Sequence, residues 1–419
     1  IESGPAGGVA YASYLSRHAG FENIIHTDVG GTSFDVSIVE KGEGLITRDH
    51  ELEWEVPVAV PMLDIHSVGA GGGSIGWVDE GGSLRMGPQS AGSTPGPACY
   101  GRGGTEPTIT DANLVLGRLN PSLSDKFELD KTAAEAAIDR LAEKIGLSRL
   151  ETADGMIKIS CETMAQAVKG VVVARARDPR DFVLASFGGA GPMHACFVAQ
   201  AMSIPQVVIP GAAGVASAFG ATAMDMRHDI ETFHYAALGE VKVADLNRLY
   251  DQIEADARKR LAADGISDDS MELRRTAQMR YVGQTYEVEN DIPSGELTDS
   301  HIPQIATAFH AAHEKEYGVS NEAFEIAFVS LSVTAVGKMK EPPVYDFSGQ
   351  KSVESHATRP VYFDGTWHDA KLYDGKNIAP GAKMQGPAVV EYLDSIAVIP
   401  PNCSGEVDKS GNLVVTIGN

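Results

Sequence analysis

Residues 28–35, Asp-Val-Gly-Gly-Thr-Ser-Phe-Asp, place two carboxylates, two hydroxyls and a glycine pair side by side. That combination can hold a phosphate group and a hydrated magnesium ion. Gly30 and Gly31 can take φ > 0 and let backbone N–H groups approach phosphate oxygens. Thr32 and Ser33 add donors. Asp28 and Asp35 can hold Mg²⁺, mostly through water, because Mg²⁺ prefers oxygen ligands and keeps its hydration shell. Asp28, Asp35 and Thr32 are therefore the catalytic candidates. A tight hairpin turn that needs only glycine would look the same at this level.

A second group runs from Asp64 to Ser74. Asp64 and His66, two apart on a strand, would project from one face and could share a metal ion. The glycines at 69 and 71–73 suit no regular element, so this stretch must be a loop where backbone approaches a ligand or another backbone. Residues 87–104 alternate rigid proline with permissive glycine, as an ordered functional loop would. Arg102 could meet an anion there, and Cys99 is a weak nucleophile candidate with nothing nearby in sequence to activate it. Asp111 stands where a helix begins and offers a ligand carboxylate there, unless Thr110 or Asp111 simply caps that helix. In residues 188–195 a buried strand feeds Gly188, Gly189 and Gly191, a loop on which a flat adenine ring could lie. His194 opens the next helix. Asp64, His66, Asp111 and His194 would together make a two-His, two-Asp site for a second divalent ion such as Zn²⁺ or Mn²⁺. His310 and His313 share a helical face but lack a near third ligand, which favours packing or exposure.

The elements that must carry these residues are legible. Asn23–Thr27 and Val36–Val39 read as strands around the first loop. Ser3–Gly8 reads as a loop leading into a helix over Val9–Arg17. Asp130 is a plausible N-cap for a helix over Lys131–Ile145 ended near Gly146, and a second helix covers about 152–177. Strands at Phe182–Phe187 and Gln206–Ile209 alternate with helices, the mark of an α/β domain. Leu246–Leu261 and Ile302–Tyr317 read as helices and Met279–Val288 as a strand. Tyr281, Gly283, Gln284 and Tyr286 read as strand packing and interface residues. The reading gives three parts: an α/β domain over 1–225, an α+β domain over 226–342, and a β-rich module over 343–419 that starts at Pro342-Pro343.

Composition sets bounds. The 419 residues, 43% apolar and 22% charged, suit two or three ordinary globular domains. A net charge of −23 argues against a nucleic-acid surface. The four cysteines are far apart and read as reduced thiols of a cytoplasmic protein. No apolar run reaches the ~18 residues that span a bilayer, and no signal peptide is visible.

Taken in order, Ser3–Gly8, Asp28–Asp35, Asp64–Ser74, Gly87–Gly104, Thr108–Asn113 and Gly188–Ala195 resemble the hydantoinase A/5-oxoprolinase family, which includes the ATPase subunits of acetone and acetophenone carboxylases. Arg280–Gln284, Phe309–Gly318 and Gly386–Glu391 match more weakly. The resemblance implies an ATPase fold of the actin, hexokinase and Hsp70 group, with Mg²⁺-ATP as cofactor. It also implies ATP-dependent activation of a cyclic amide or carbonyl, and a hydantoinase B-type partner subunit. The corresponding alternative is a carboxylase subunit acting on a ketone enolate and bicarbonate; a scaffold without catalysis is the third reading. Such relatives carry an N-terminal half with the first phosphate loop, which this sequence lacks. Together with Ile1 in place of Met, that gives the expectation of a separate N-terminal chain or a fragment, without ATP turnover on its own. Asp394–Ala397 departs from the hydroxyl-rich stretch usual at that point.

Overall fold

The computed structural model describes residues 3–47, 50–53, 56–58, 62–124, 127–340 and 354–418. The chain divides into two units, one of residues 1–223 with 342–419 and one of residues 224–341.

The first unit is built on a central sheet. Eight of its nine strands are β1 (Asn23–Val29), β2 (Phe34–Glu40), β3 (Ile65–Val68), β4 (Val183–Phe187), β5 (Gln206–Ile209), β6 (Lys383–Gln385), β7 (Ser404–Val407) and β8 (Leu413–Thr416), and the ninth is the two-residue Glu43–Gly44 paired to β2. They lie in the order β6-β7-β8-β5-β4-β1-β2, and β3 also pairs with β2. The three central strands β1, β4 and β5 are parallel, whereas β2 runs antiparallel to β1 and β3 antiparallel to β2. Successive residues point to opposite faces, and the central strands place apolar side chains on both. Ile24, Val39, Ala185, Phe187 and Val208 face one cluster, together with Val9, Ala12 and Leu15 of α1 (Ser3–Ala19). Ile25, Val36, Ile38, Leu184 and Val207 face the larger cluster. That cluster is supplied by α2 (Ile109–Val115), α3 (Lys131–Ile145), α4 (Arg149–Val173) and α5 (Gly191–Met202).

Helix α1 begins at Ser3, where the glycine content suggests a loop. The glycines serve a close crossing with α6 (Ala216–Thr222) instead. A Cβ at Gly220 would lie 1.9 Å from the Gly7 carbonyl oxygen, and one at Gly7 would lie 2.2 Å from that of Ser217. Helix α3 starts at Asp130, whose side chain accepts from the Ala133 amide, and ends at Gly146 in the left-handed conformation.

The C-terminal segment does not stand apart as the sequence suggests. β7 and β8 extend the central sheet through the β5–β8 pairing. Strands Ala357–Phe363, Thr366–Asp374, Ala388–Glu391 and Ile396–Ile399 form a second sheet whose apolar side joins the larger core cluster. The expected boundary at Pro342-Pro343 lies outside the described residues.

The second unit is a four-stranded antiparallel sheet, Met226–Ala237, Ile326–Gly337, Met271–Tyr281 and Val288–Ile292, with helices Val243–Ala263 and His301–Tyr317 packed on it. The strand expected over Met279–Val288 is two strands joined by a loop that turns at Gly283, φ +93°. His313 is buried, bonded to the Val319 carbonyl oxygen at 2.7 Å, and His310 bonds the Tyr281 hydroxyl at 2.7 Å, so both are packing residues.

Candidate nucleotide site

Residues 30–33 join β1 to β2. The register sets Val29 opposite Phe34 and Asp28 opposite Asp35, and the Gly30 amide donates to the Ser33 carbonyl oxygen at 3.2 Å. Gly30, Gly31 and Thr32 are exposed. Neither glycine takes a positive φ, so the expected left-handed turn is absent. A Cβ on either would meet nothing of this chain within 4 Å. The turn itself therefore does not require glycine at these two positions; open space lies above them.

The next layer is different: the space beside each glycine there is taken by this chain's own atoms. Gly72 and Gly73 donate their amides to the carbonyl oxygens of Gly30 and Gly31 at 3.0 and 2.7 Å. A Cβ on Gly71 would sit 2.4 Å from the Thr32 nitrogen and 2.6 Å from the Gly31 carbonyl carbon. The glycine run thus braces the first loop from beneath. The run is held in turn by Thr110, whose amide and hydroxyl both reach the Gly72 carbonyl oxygen at 2.9 Å, and by the Ala91 amide on Gly73 at 2.9 Å.

The diglycine loop after β4 rests on the end of β1. Gly188 has φ +80°, and a Cβ there would lie 2.3 Å from the Val29 carbonyl oxygen and 2.4 Å from Asp28 Oδ1. The Ala190 amide donates to the Val29 carbonyl oxygen at 3.1 Å. A Cβ on Gly191 would lie 2.8 Å from Ser186 Oγ. Five stretches that are distant in sequence thus meet at the ends of the central strands, where open α/β sheets bind ligands.

Two carboxylates face each other in this site. Asp28 Oδ2 accepts from Ser217 Oγ at 2.8 Å, and Asp35 Oδ1 accepts from Ser67 Oγ. Burial raises both pKa values above the ordinary 3.8; the hydroxyl bonds pull the other way, and the Asp35 charge adds to the rise at Asp28. An ion held between them would relieve that cost. Ser217 and Ser67 escape the sequence reading, and Asp394 stands in it only as a departure from the hydroxyl-rich stretch. Its carbonyl oxygen would lie 3.3 Å from a Cβ on Gly189 and 2.8 Å from one on Gly214. Ser217 sits in α6, a helix of small residues, and nothing local marks Ser67 as the partner of Asp35.

The expected second metal site is not assembled. Asp64 Oδ2 is paired with Arg175, and His66 Nε2 lies 3.6 Å from Asp64 Oδ1 with its ring largely in solvent. Asp111 is fully buried, and its carboxylate accepts from Thr108 N and Oγ1 and from the amides of Ala98 and Cys99 at 2.7–3.2 Å. His194 lies in the core between Asn113 Nδ2 at 3.4 Å and Cys161 Sγ at 3.7 Å. Burial, with the Arg118 charge, lowers its pKa to about 3. Among the described residues no group of three or more His, Cys, Asp and Glu could hold a metal. Cys99 is buried and its thiol is pushed up by burial and by Asp111, which rules against a thiolate nucleophile. Arg102 is exposed, with its guanidinium 5.8 Å from the Tyr100 ring centroid. All four cysteines are free and buried.

Asp111 is a structural anchor: it completes the capping box of α2, whose N-cap is Thr108, and ties the 98–99 turn to that helix. Asp111→Ala leaves four donors unmatched, and at ~1–3 kcal/mol for each buried unsatisfied group the loss should exceed about 3 kcal/mol. Urea denaturation with and without EDTA measures it. A loss below about 1 kcal/mol would remove the anchor reading, and chelator-sensitive wild-type stability would return Asp111 to the metal ligands.

A parallel sheet centre flanked by an antiparallel hairpin, with glycine loops gathered at its strand ends, defines an actin-like ATPase fold, here with a β-rich C-terminal part. The chain belongs to the hydantoinase/oxoprolinase family, whose main domain matches residues 1–230 and whose C-terminal domain matches residues 237–413. An uncharacterised protein of Methanocaldococcus jannaschii is 39% identical over 99% of this chain and 61% of its own length. The caprolactamase subunit alpha of Pseudomonas jessenii is 32% identical over 100% of this chain and 62% of its own. The solved structure of the ATP-dependent caprolactamase superposes with a TM-score of 0.83. A nucleotide-free structure of acetone carboxylase, from work on ATP-dependent acetone carboxylation, has a TM-score of 0.85 at 27% identity, over 99% of this chain and 61% of that one. The chain thus spans about three fifths of the length of these relatives. Among the described residues no helix is long and apolar enough to cross a membrane.

Proposed function

We propose that this chain supplies the second phosphate loop and the adenine loop of an ATP-dependent cyclic amide hydrolase, acting with a hydantoinase B-type partner. The observation that carries this reading is the contrast among the glycines. Gly71, Gly188 and Gly191 are filled by this chain's own atoms, whereas Gly30 and Gly31 face open space beside two opposed carboxylates. Space kept clear over a loop of amides and hydroxyls fits an anion, and the carboxylate pair fits its magnesium ion. When bound, Mg²⁺-ATP would supply the phosphoryl group that makes an amide oxygen a leaving group for hydrolysis. Thr32 and Ser33 would donate to phosphate oxygens. Asp28 and Asp35, held by Ser217 and Ser67, would orient water on the ion. Gly188, Gly189 and Gly191 would present flat backbone to the adenine.

The carboxylase reading uses the same residues, and the likeness to acetone carboxylase supports it. Phosphate release from the natively purified assembly separates the two. Stimulation by hydantoin or 5-oxoproline is the expected result. Stimulation only by acetone or acetophenone with bicarbonate would move the protein to the carboxylases, and absence of Mg²⁺-ATP binding would leave a scaffold.

A further inference from the structure

Arg118 lies in the turn after α2, 2% exposed, and is among the largest fully buried side chains. Its guanidinium lies 4.6 Å from the ring centroid of Phe197 and 5.5 Å from that of Phe363. Aromatic faces stabilise the charge but cannot accept the N–H groups, which lie in the guanidinium plane. Nε and Nη1 have no hydrogen-bond partner among the described residues. A buried guanidinium with two unmatched donors is costly unless something meets it.

Arg118 borders a cavity of about 270 Å³ between α4, α5 and the turn at Phe363-Asp364. Asp154, Lys158, Glu162, Gln200 and Asp364 also line it. Lys158 is already bonded to Asp154 at 2.8 Å and to Asp364 at 3.0 Å, so among the described residues Arg118 is the cavity's cation without a carboxylate partner. Three carboxylates against one lysine repel a multiply charged anion such as phosphate. They tolerate a single carboxylate, and they favour one whose far end is cationic.

We propose that this cavity binds a small aliphatic amino carboxylate, with its carboxylate on Arg118 and its ammonium group toward the Glu162 and Asp364 carboxylates. None of the residues belongs to the nucleotide site, so the proposal stands or falls apart from the activity assigned above.

The probes are 4-aminobutanoate, butanoate and inorganic phosphate, titrated into the purified protein by calorimetry and by saturation-transfer NMR. 4-Aminobutanoate should bind at least roughly tenfold more tightly than phosphate. Arg118→Met, which fills the space with an apolar chain of similar length, should abolish that binding without lowering the unfolding midpoint. Asp364→Asn, at an exposed position, should erase the preference for 4-aminobutanoate over butanoate, and it serves as the decisive variant if Arg118→Met does not fold. Binding that survives Arg118→Met, phosphate binding as tight as carboxylate binding, unchanged selectivity in Asp364→Asn, or no binding of any probe at tens of millimolar would each overturn the proposal.

Discussion

Gly31→Ala should leave the stability of the protein within about 0.5 kcal/mol of wild type yet weaken Mg²⁺-ATP binding by at least roughly tenfold. A methyl group at Gly31 touches nothing in the chain, so only a ligand can object to it. Gly71→Ala should behave in the opposite way. Its methyl group would stand 2.4 Å from the Thr32 nitrogen, which is backbone and cannot turn aside like a side chain. Either the 69–74 run or the 30–33 loop must move, at a cost of about 1–3 kcal/mol. Moving the loop displaces the donors aimed at phosphate, so a loss of binding near a hundredfold is expected as well. Gly188→Ala adds the strain of φ +80° to a 2.3 Å clash with the Val29 carbonyl oxygen and should resemble Gly71→Ala. Calorimetric titration of Mg²⁺-ATP into the native assembly, with thermal unfolding of each variant, measures all three. Wild-type binding by Gly31→Ala would show that the open space is not a phosphate seat, whatever Gly71→Ala does.

Much of this architecture is readable before any coordinates. The alternation of strand, glycine loop and helix from 182 to 223 marks the α/β core, because apolar strands covered on both faces have few other homes. Asp130 and Gly146 bracket a helix because capping is a local matter, settled within one turn. What resists reading is set by partners far along the chain. Ser217 meets Asp28 across 189 positions, and no local pattern announces it. Gly7 and Gly8 suggest a loop by their own propensity, yet the close crossing with α6 makes glycine a requirement of a helix. Asp111 illustrates the same limit in the site. Its neighbours in sequence allow a ligand or a cap equally; the amides of Ala98 and Cys99, brought in by tertiary folding, decide for the cap. The β-rich C-terminal segment shows its strands in sequence, but their docking beside β5 is a long-range pairing that periodicity cannot express.

The opposed carboxylates give an effect whose sign reverses with the ligand. Asp28 and Asp35 are direct cross-strand partners, and both have pKa values raised above 3.8, chiefly by burial. A raised carboxyl pKa means that the native state keeps a proton which the unfolded chain has released. Stability therefore falls as pH climbs from the ordinary carboxylate range through the raised values, and the penalty is complete once the pH lies above them. Asp35→Asn keeps an oxygen for the Ser67 hydroxyl and removes the charge. Without ligand at pH 7 it should stabilise the protein by up to about 1 kcal/mol, the scale of relieving like charges directly opposite on a sheet. The gain should fade as pH falls through the raised values, where wild type takes up a proton itself. With Mg²⁺-ATP present the order should invert, because the ion favours the ionised pair and stabilises wild type by linkage. Unfolding midpoints at pH 4 and 7, with and without Mg²⁺-ATP, test both halves. A variant that is less stable than wild type without ligand, and equally stabilised by Mg²⁺-ATP, would show that the pair is a structural hydrogen-bonding element and that the ion is held elsewhere.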